Sequence, residues 1–266
     1  MAADVPVLET RGLTIQFGGH VAVDGVSCAF RQGTLTAIVG PNGAGKTTYF
    51  NLISGQLRAS AGEVFLAGER ITTLGAPERT RRGLGRAFQL TNLFPNLSVL
   101  ENVRLAVQSV AGIRFDFLSM ASRHRGLADE AMAQLRRVRL EDRAELPAAA
   151  LAHGDQRKLE VAILLALKPR VFMFDEPTAG MSVDEVPVIL DLIDEIRAEG
   201  DKTILLVEHK MDVVQRLADR IVVLQDGALV ADGAPSEVVA SAVVQQAYLG
   251  VAPPSVGKAA SGEAHG

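Results

Sequence analysis

The segment Gly40, Pro41, Asn42, Gly43, Ala44, Gly45, Lys46, Thr47 fits the pattern G-x-x-x-x-G-K-[ST], with Thr48 directly behind it. Chemistry follows from the residue types. Glycines let a backbone curl until several N–H groups face one point, and a helix starting there adds its positive dipole end. In such a cradle Lys46 reaches the β- and γ-phosphates of a nucleotide, and the Thr47 hydroxyl can ligate Mg²⁺. A second element is VFMFDEP, residues 171–177. Its apolar run delivers Asp175 and Glu176 together at the carboxyl end of a strand, where ligands of open α/β sheets bind. Asp175 suits Mg²⁺, directly or through water, and Glu176 is placed to act as general base on an attacking water.

These residues need elements to hold them. The run TLTAIV (34–39) predicts a strand that ends in the glycine loop, and KTTYFNLIS (46–54) has helical spacing closed by Gly55 as a C-cap. Residues Leu8 to Phe30 alternate β-rich pieces with glycine turns, which suits antiparallel strands, and EVFLAGER adds another β segment. The middle of the chain, about 92–167, is rich in Ala, Leu, Glu and Arg and predicts a helical subdomain inserted in the core. Strands at 171–175 and 203–208 separated by a helix over Val186–Ala198 imply a parallel sheet. Asp226-Gly227 between apolar runs is a hairpin signal. The fold class is therefore α/β: a mixed sheet core with an antiparallel β subdomain and a helical insert. One domain is expected over 7–250, with the helical subdomain inserted in it, followed by a disordered tail at 251–266.

The bulk composition narrows the partners. The chain has 266 residues, 48% hydrophobic, and a net charge of −4, which argues against nucleic acid as a main partner. The basic run Arg79, Arg81, Arg82, Arg86 is read as a solvated helix face. The single cysteine, Cys28, sits in VSCAF and is expected as a small buried side chain. The N-terminus MAADVPVLET shows no secretory signal, and no apolar stretch reaches the roughly 18 to 20 residues of a membrane helix. The expected location is cytoplasmic, with any membrane role exerted through a partner.

Taken in order, six features resemble the nucleotide-binding subunit of an ABC transporter, a P-loop NTPase. They are Phe17, GPNGAGKTT, Gln89 in RAFQ, LAHGDQRKLE at 151–160, VFMFDEP, and His209 after TILLVE. The resemblance implies that Phe17 stacks on the adenine of ATP. It implies that Gln89 contacts Mg²⁺ and the attacking water and links the site to a transmembrane partner, and that His209 contacts the γ-phosphate. Residues Ala152, His153, Gly154 and Asp155 would be offered in trans to ATP held by a second ATPase subunit, a different chain or an identical one. Two positions depart from the usual family pattern. Ala152 replaces a serine that bonds the γ-phosphate, and Ser182 replaces an aspartate. If the partner is a different chain, the site completed by Ala152 would be the weaker of two.

Within the family, FGGHVAVDGVS, RAFQLTNLFPNLSVLENV, the LA-x-G-x-QRKLE signature and AYLG at 247–250 resemble the ATPases of branched-chain amino acid importers. Importers of urea, short amides or aromatic acids resemble it too, and lipopolysaccharide-exporting and soluble ABC ATPases less so. The resemblance implies permease subunits as partners, with an extracytoplasmic binding protein acting indirectly. The loop at Gln89 to Pro95, with Leu93 and Phe94, is the expected membrane-subunit contact, on the inner face of the membrane.

Overall fold

A computed structural model describes residues 6–87, 93–112 and 121–241, without the side chains of 121–125. Along the chain run β1 (Leu8–Phe17), β2 (His20–Phe30), β3 (Leu35–Val39), α1 (Lys46–Ser54), β4 (Ala61–Leu66), β5 (Glu69–Arg70), α2 (Ala76–Arg81) and β6 (Leu84–Ala87). There follow α3 (Val99–Val110), α4 (Ala121–Arg137), α5 (His153–Ala166), β7 (Val171–Asp175), α6 (Val186–Ala198) and β8 (Thr203–Val207). The last elements are α7 (Met211–Leu217), β9 (Arg220–Gln225), β10 (Ala228–Gly233) and α8 (Pro235–Ala240).

Two sheets form. One is antiparallel in the order β2-β1-β4-β5, and the other is mixed in the order β10-β9-β3-β8-β7-β6. In the second, β9, β3, β8, β7 and β6 run parallel, and only β10 is antiparallel, joined to β9 by the expected turn. That turn works because Asp226 and Gly227 both adopt positive φ, 51° and 79°, as a tight hairpin demands. The central strands β3, β7 and β8 are buried along their whole length, as expected when both faces of a parallel sheet are covered.

Side-chain alternation sends each strand's residues into two cores. Leu35, Ala37, Phe172, Phe174, Ile204 and Leu206 pack with α3, α5, α6 and α7 on one face. Ile38, Met173, Leu205 and Val207 pack with α1 and the antiparallel sheet on the other. Cys28 belongs to the second core and is 5% exposed, so it is the small buried side chain expected. Both cores press on the ends of β3 and β7, which fixes where the glycine loop and the acidic pair begin.

The basic run departs from expectation. Arg81 and Arg82 are exposed, but Arg79 is 2% exposed and Arg86 is 8% exposed. The reason is that α2 is a single short helix whose Arg79 side chain turns inward to the end of α1, and Arg86 is already on strand β6. Arg79 donates from Nη1 to the carbonyls of Leu52 (2.7 Å) and Ile53 (2.6 Å), and to Thr72 O (2.8 Å) and Leu74 O (2.9 Å) from Nη2 and Nε. The last carbonyls of α1 would otherwise lack partners, and a cation there also suits the helix dipole. Burial pulls the guanidinium down to a pKa of about 10, so it stays charged at neutral pH. Replacing it by the similarly sized but apolar Met in Arg79→Met should therefore cost about 3 kcal/mol in denaturant unfolding. A loss below about 1 kcal/mol would show that Arg79 does not anchor the end of α1.

Candidate functional site

At Val39 the chain leaves the core and turns through the glycine loop into α1. Gly45 caps this helix with φ 92°, and a Cβ there would lie 2.4 Å from the carbonyl oxygen of Ala22, so the position accepts only glycine. No side chain caps α1, and the first amides of a helix have no partner inside it. They remain free to bind an anion. Lys46 is 6% exposed, and its Nζ donates to the carbonyls of Gly40 (2.8 Å) and Pro41 (2.9 Å). Burial lowers the pKa of this ammonium, while Glu176 and Asp175 pull it back up. The lysine is thus tied to its own loop by bonds that phosphate oxygens could replace.

The acidic pair sits where β7 ends. Asp175 is buried, and Arg86 Nη2 donates to its Oδ2 at 2.6 Å. The same guanidinium donates from Nη1 to Asn51 Oδ1 (2.6 Å) and Ser54 Oγ (3.1 Å), both on α1. Burial raises the pKa of Asp175 and Arg86 opposes it. Its second oxygen, Oδ1, is buried with no hydrogen-bond partner among the described residues. Glu176 adopts the left-handed backbone (φ 50°), rare for a residue with a Cβ. Its amide donates to Val207 O (3.0 Å), and Glu176 Oε1 lies 2.6 Å from His209 Nε2.

The glycine loop, Glu176 and His209 share a cleft of about 270 Å³ lined by His20, Ala22, Asn42 to Thr48, Glu176 and His209, and Asp175 is not among its lining residues. Asn42, Gly43, Ala44, Gly45, Lys46, Thr47, Thr48, Glu176 and His209 are thereby brought together. Gly40 and Pro41 sit behind the wall, where their carbonyls hold Lys46. Phe17 is 50% exposed, outside the lining, and faces His20 across the β1–β2 turn. Gln89 lies outside the described residues.

The stretch 151–160 is elsewhere. None of Ala152, His153, Gly154 and Asp155 lines the cleft. Ala152 is the N-cap of α5 with φ −61° and ψ 159°, and no side chain caps that helix either. Ala152 and His153 are exposed, so the N-terminus of α5 opens outward. Asp155 is buried and committed: it pairs with Arg143 and accepts from Lys158 Nζ at 3.0 Å.

Two supporting residues carry no signal in the sequence. Arg86 looks like part of a solvated basic face, yet it is buried. Glu208, 3% exposed, accepts from Thr178 Oγ1 (2.8 Å) and from the His209 amide (3.0 Å), which holds the Glu176–His209 pair in place. A single acid between a strand and a histidine carries no signal of this, since the contact depends on residues 30 positions away in the chain.

A glycine loop between a buried strand and a helix, beside a strand-ended acidic pair, defines a P-loop nucleoside triphosphatase. Residues 23–179 match the ABC transporter family model. The chain is 38% identical over 253 residues to the high-affinity branched-chain amino acid transport ATP-binding protein BraF of Pseudomonas aeruginosa, covering 93% of this chain and 99% of that protein. It is 36% identical over 252 residues to the corresponding LivG of Escherichia coli K12, with the same coverage. Among solved structures, an ABC transporter cassette in its ADP conformation aligns with a TM-score of 0.76 at 26% identity, over 92% of this chain and 99% of that one. A dimeric bacterial ABC transporter cassette aligns at 0.75 and 27% identity, over 86% and 98%. The chain belongs to the ABC transporter family, as one of its ATPases.

The uncapped start of α5 makes a direct prediction. Ala152→Ser places a hydroxyl at an N-cap whose backbone already has the right shape, and should stabilise the isolated chain by about 1 kcal/mol in thermal or denaturant unfolding. No change, or a loss, would show that the N-cap of α5 is not open to a side-chain cap.

Proposed function

We propose that this ATPase powers an importer of branched-chain amino acids, as a peripheral subunit on the cytoplasmic face of the membrane. The observation that carries the chemistry is the single cleft that gathers the uncapped start of α1, Lys46, Glu176 and His209. The near full-length similarity to BraF and LivG supports the solute. Among the described residues no helix is long and apolar enough to cross a membrane, so transport needs permease subunits. The dimeric cassette among its structural neighbours supports pairing with a second ATPase.

In this reading the free amides of α1 and the loop bind the phosphates of ATP. Lys46 exchanges the carbonyls of Gly40 and Pro41 for β- and γ-phosphate oxygens. The residues fit Mg²⁺: Thr47 offers a hydroxyl and Asp175 a buried, unpartnered carboxylate oxygen, and both are the hard oxygen ligands this ion takes. Held there, the ion would supply charge neutralisation to the phosphates. Glu176 accepts a proton from the attacking water, and His209, bonded to that carboxylate, holds it toward the cleft and faces the γ-phosphate. Phe17, exposed at the rim, is free to stack on the base. Residues 152–155 serve ATP bound by the partner, where the amides of α5 replace the missing serine hydroxyl.

Of the two apolar residues expected to dock, the described part of the loop exposes one. Leu93 packs on the core, whereas Phe94 is 56% exposed. Asn102 clamps the loop: its Oδ1 accepts from the Phe94 amide (2.8 Å) and its Nδ2 donates to Phe94 O (3.1 Å) and Ser98 O (2.9 Å). Phe94 is therefore the aromatic residue presented to the membrane subunits.

The test is to co-purify the chain with its membrane subunits and add binding protein loaded with different solutes. Leucine, isoleucine or valine should stimulate ATP hydrolysis, and Phe94→Ala should weaken that stimulation. Stimulation by urea or short amides alone would assign a different solute.

A further inference from the structure

Glu185, just before α6, divides its two oxygens between two parts of the fold. Oε2 accepts from the Ser182 amide (3.0 Å) and from Ser182 Oγ (2.8 Å). Oε1 faces Lys158 Nζ on α5 at 3.5 Å, and Lys158 also donates to Asp155. The carboxylate lies so close to α5 that a Cβ on Gly154 would stand 2.4 Å from Oε2. A second contact lies alongside, because a Cβ on Gly180 would be 3.1 Å from His153 Cδ2. The loop that leaves Glu176 and the first turn of α5 are therefore fitted together at two points.

Between Glu176 and Glu185 the loop is tightly turned. Ala179 N donates to Glu176 O (3.0 Å), Met181 N to Thr178 O (3.3 Å) and Glu185 N to Ser182 O (3.0 Å). Thr178 is fastened to Glu208. Ser182 is the residue that permits the contact: an aspartate there would set a second carboxylate within bonding distance of Glu185, and two anions that close repel.

We propose that Glu185 is a positioning residue that locks the first turn of α5 to the loop carrying Glu176, so that the chain's own ATP site and the signature it offers its partner respond together. The proposal rests on the reading of Glu176 and of residues 152–155 as parts of two ATP sites. It also gives Gly154 a role inside its own chain: the glycine leaves room for the Glu185 carboxylate.

The test uses the full-length isolated chain, hydrogen exchange and a non-hydrolysable ATP analogue with Mg²⁺. In the wild type, binding should slow exchange at 176–185 and at 153–158 together. In Glu185→Ala the analogue should bind with unchanged affinity and protect 176–185, but lose the effect on 153–158. Equal protection of 153–158 in both proteins, or none in the wild type, would overturn the proposal. Failure of the analogue to bind the wild type would instead overturn the ATP-site reading. Stability supplies a second readout. Gly154→Ala should change the melting temperature more favourably when Glu185→Ala is also present than in the wild-type background, because only the wild type must move the Glu185 carboxylate aside. The same change in both backgrounds would show that Gly154 does not make room for Glu185.

Discussion

The buried ion pair between Arg86 and Asp175 is the contact around which the site is arranged. Neither side chain reaches solvent to any extent, with exposures of 5% and 0%. Removing one member of such a pair typically costs about 3–5 kcal/mol, because the other charge stays buried without compensation. Arg86 also reaches Asn51 and Ser54, so one guanidinium joins edge strand β6, the end of β7 and helix α1. The glycine loop opens onto α1 and the acidic pair ends β7. Their separation is set by this cation. By taking only Oδ2, Arg86 also leaves Oδ1 as the one carboxylate oxygen of Asp175 without a partner among the described residues.

From there the chain carries the arrangement outward. Glu176 turns into the left-handed region directly after Asp175, a conformation that costs of order 1–3 kcal/mol and persists only where the surroundings enforce it. Here the enforcing contacts are the amide bond to Val207 and the carboxylate bond to His209, itself seated by Glu208. The turned loop then ends at Glu185 against α5. A short run of backbone thus connects a carboxylate facing one cleft with a helix start facing away from it.

The readable parts of this structure were those encoded locally. The loop pattern, the Gly55 cap (φ 79°), the helix at Val186–Ala198 and the Asp226-Gly227 turn each depend on residues within a few positions of one another. Strand β6 was missed because Leu84–Ala87 has no alternation. It is a strand by virtue of its pairing with β7 and of Gly85, where a Cβ would stand 2.5 Å from Leu164 Cδ1. The burial of Arg79 and Arg86 was equally hidden, since a basic run looks solvated until distant carbonyls and a distant aspartate are shown to need it. Ser182 and Gly154 read as unrelated features of two motifs, and only the fold puts Glu185 between them.

Glu176, held by His209 beside the glycine loop, is the residue placed to activate water at a nucleotide bound there. Single-turnover hydrolysis of ATP by the assembled transporter carrying Glu176→Gln, measured alongside equilibrium binding, tests this role most directly. ATP binding should stay close to that of the wild type, with hydrolysis slowed at least about 100-fold, the scale of a lost general base. Hydrolysis at the wild-type rate in the Glu176→Gln complex would contradict that role.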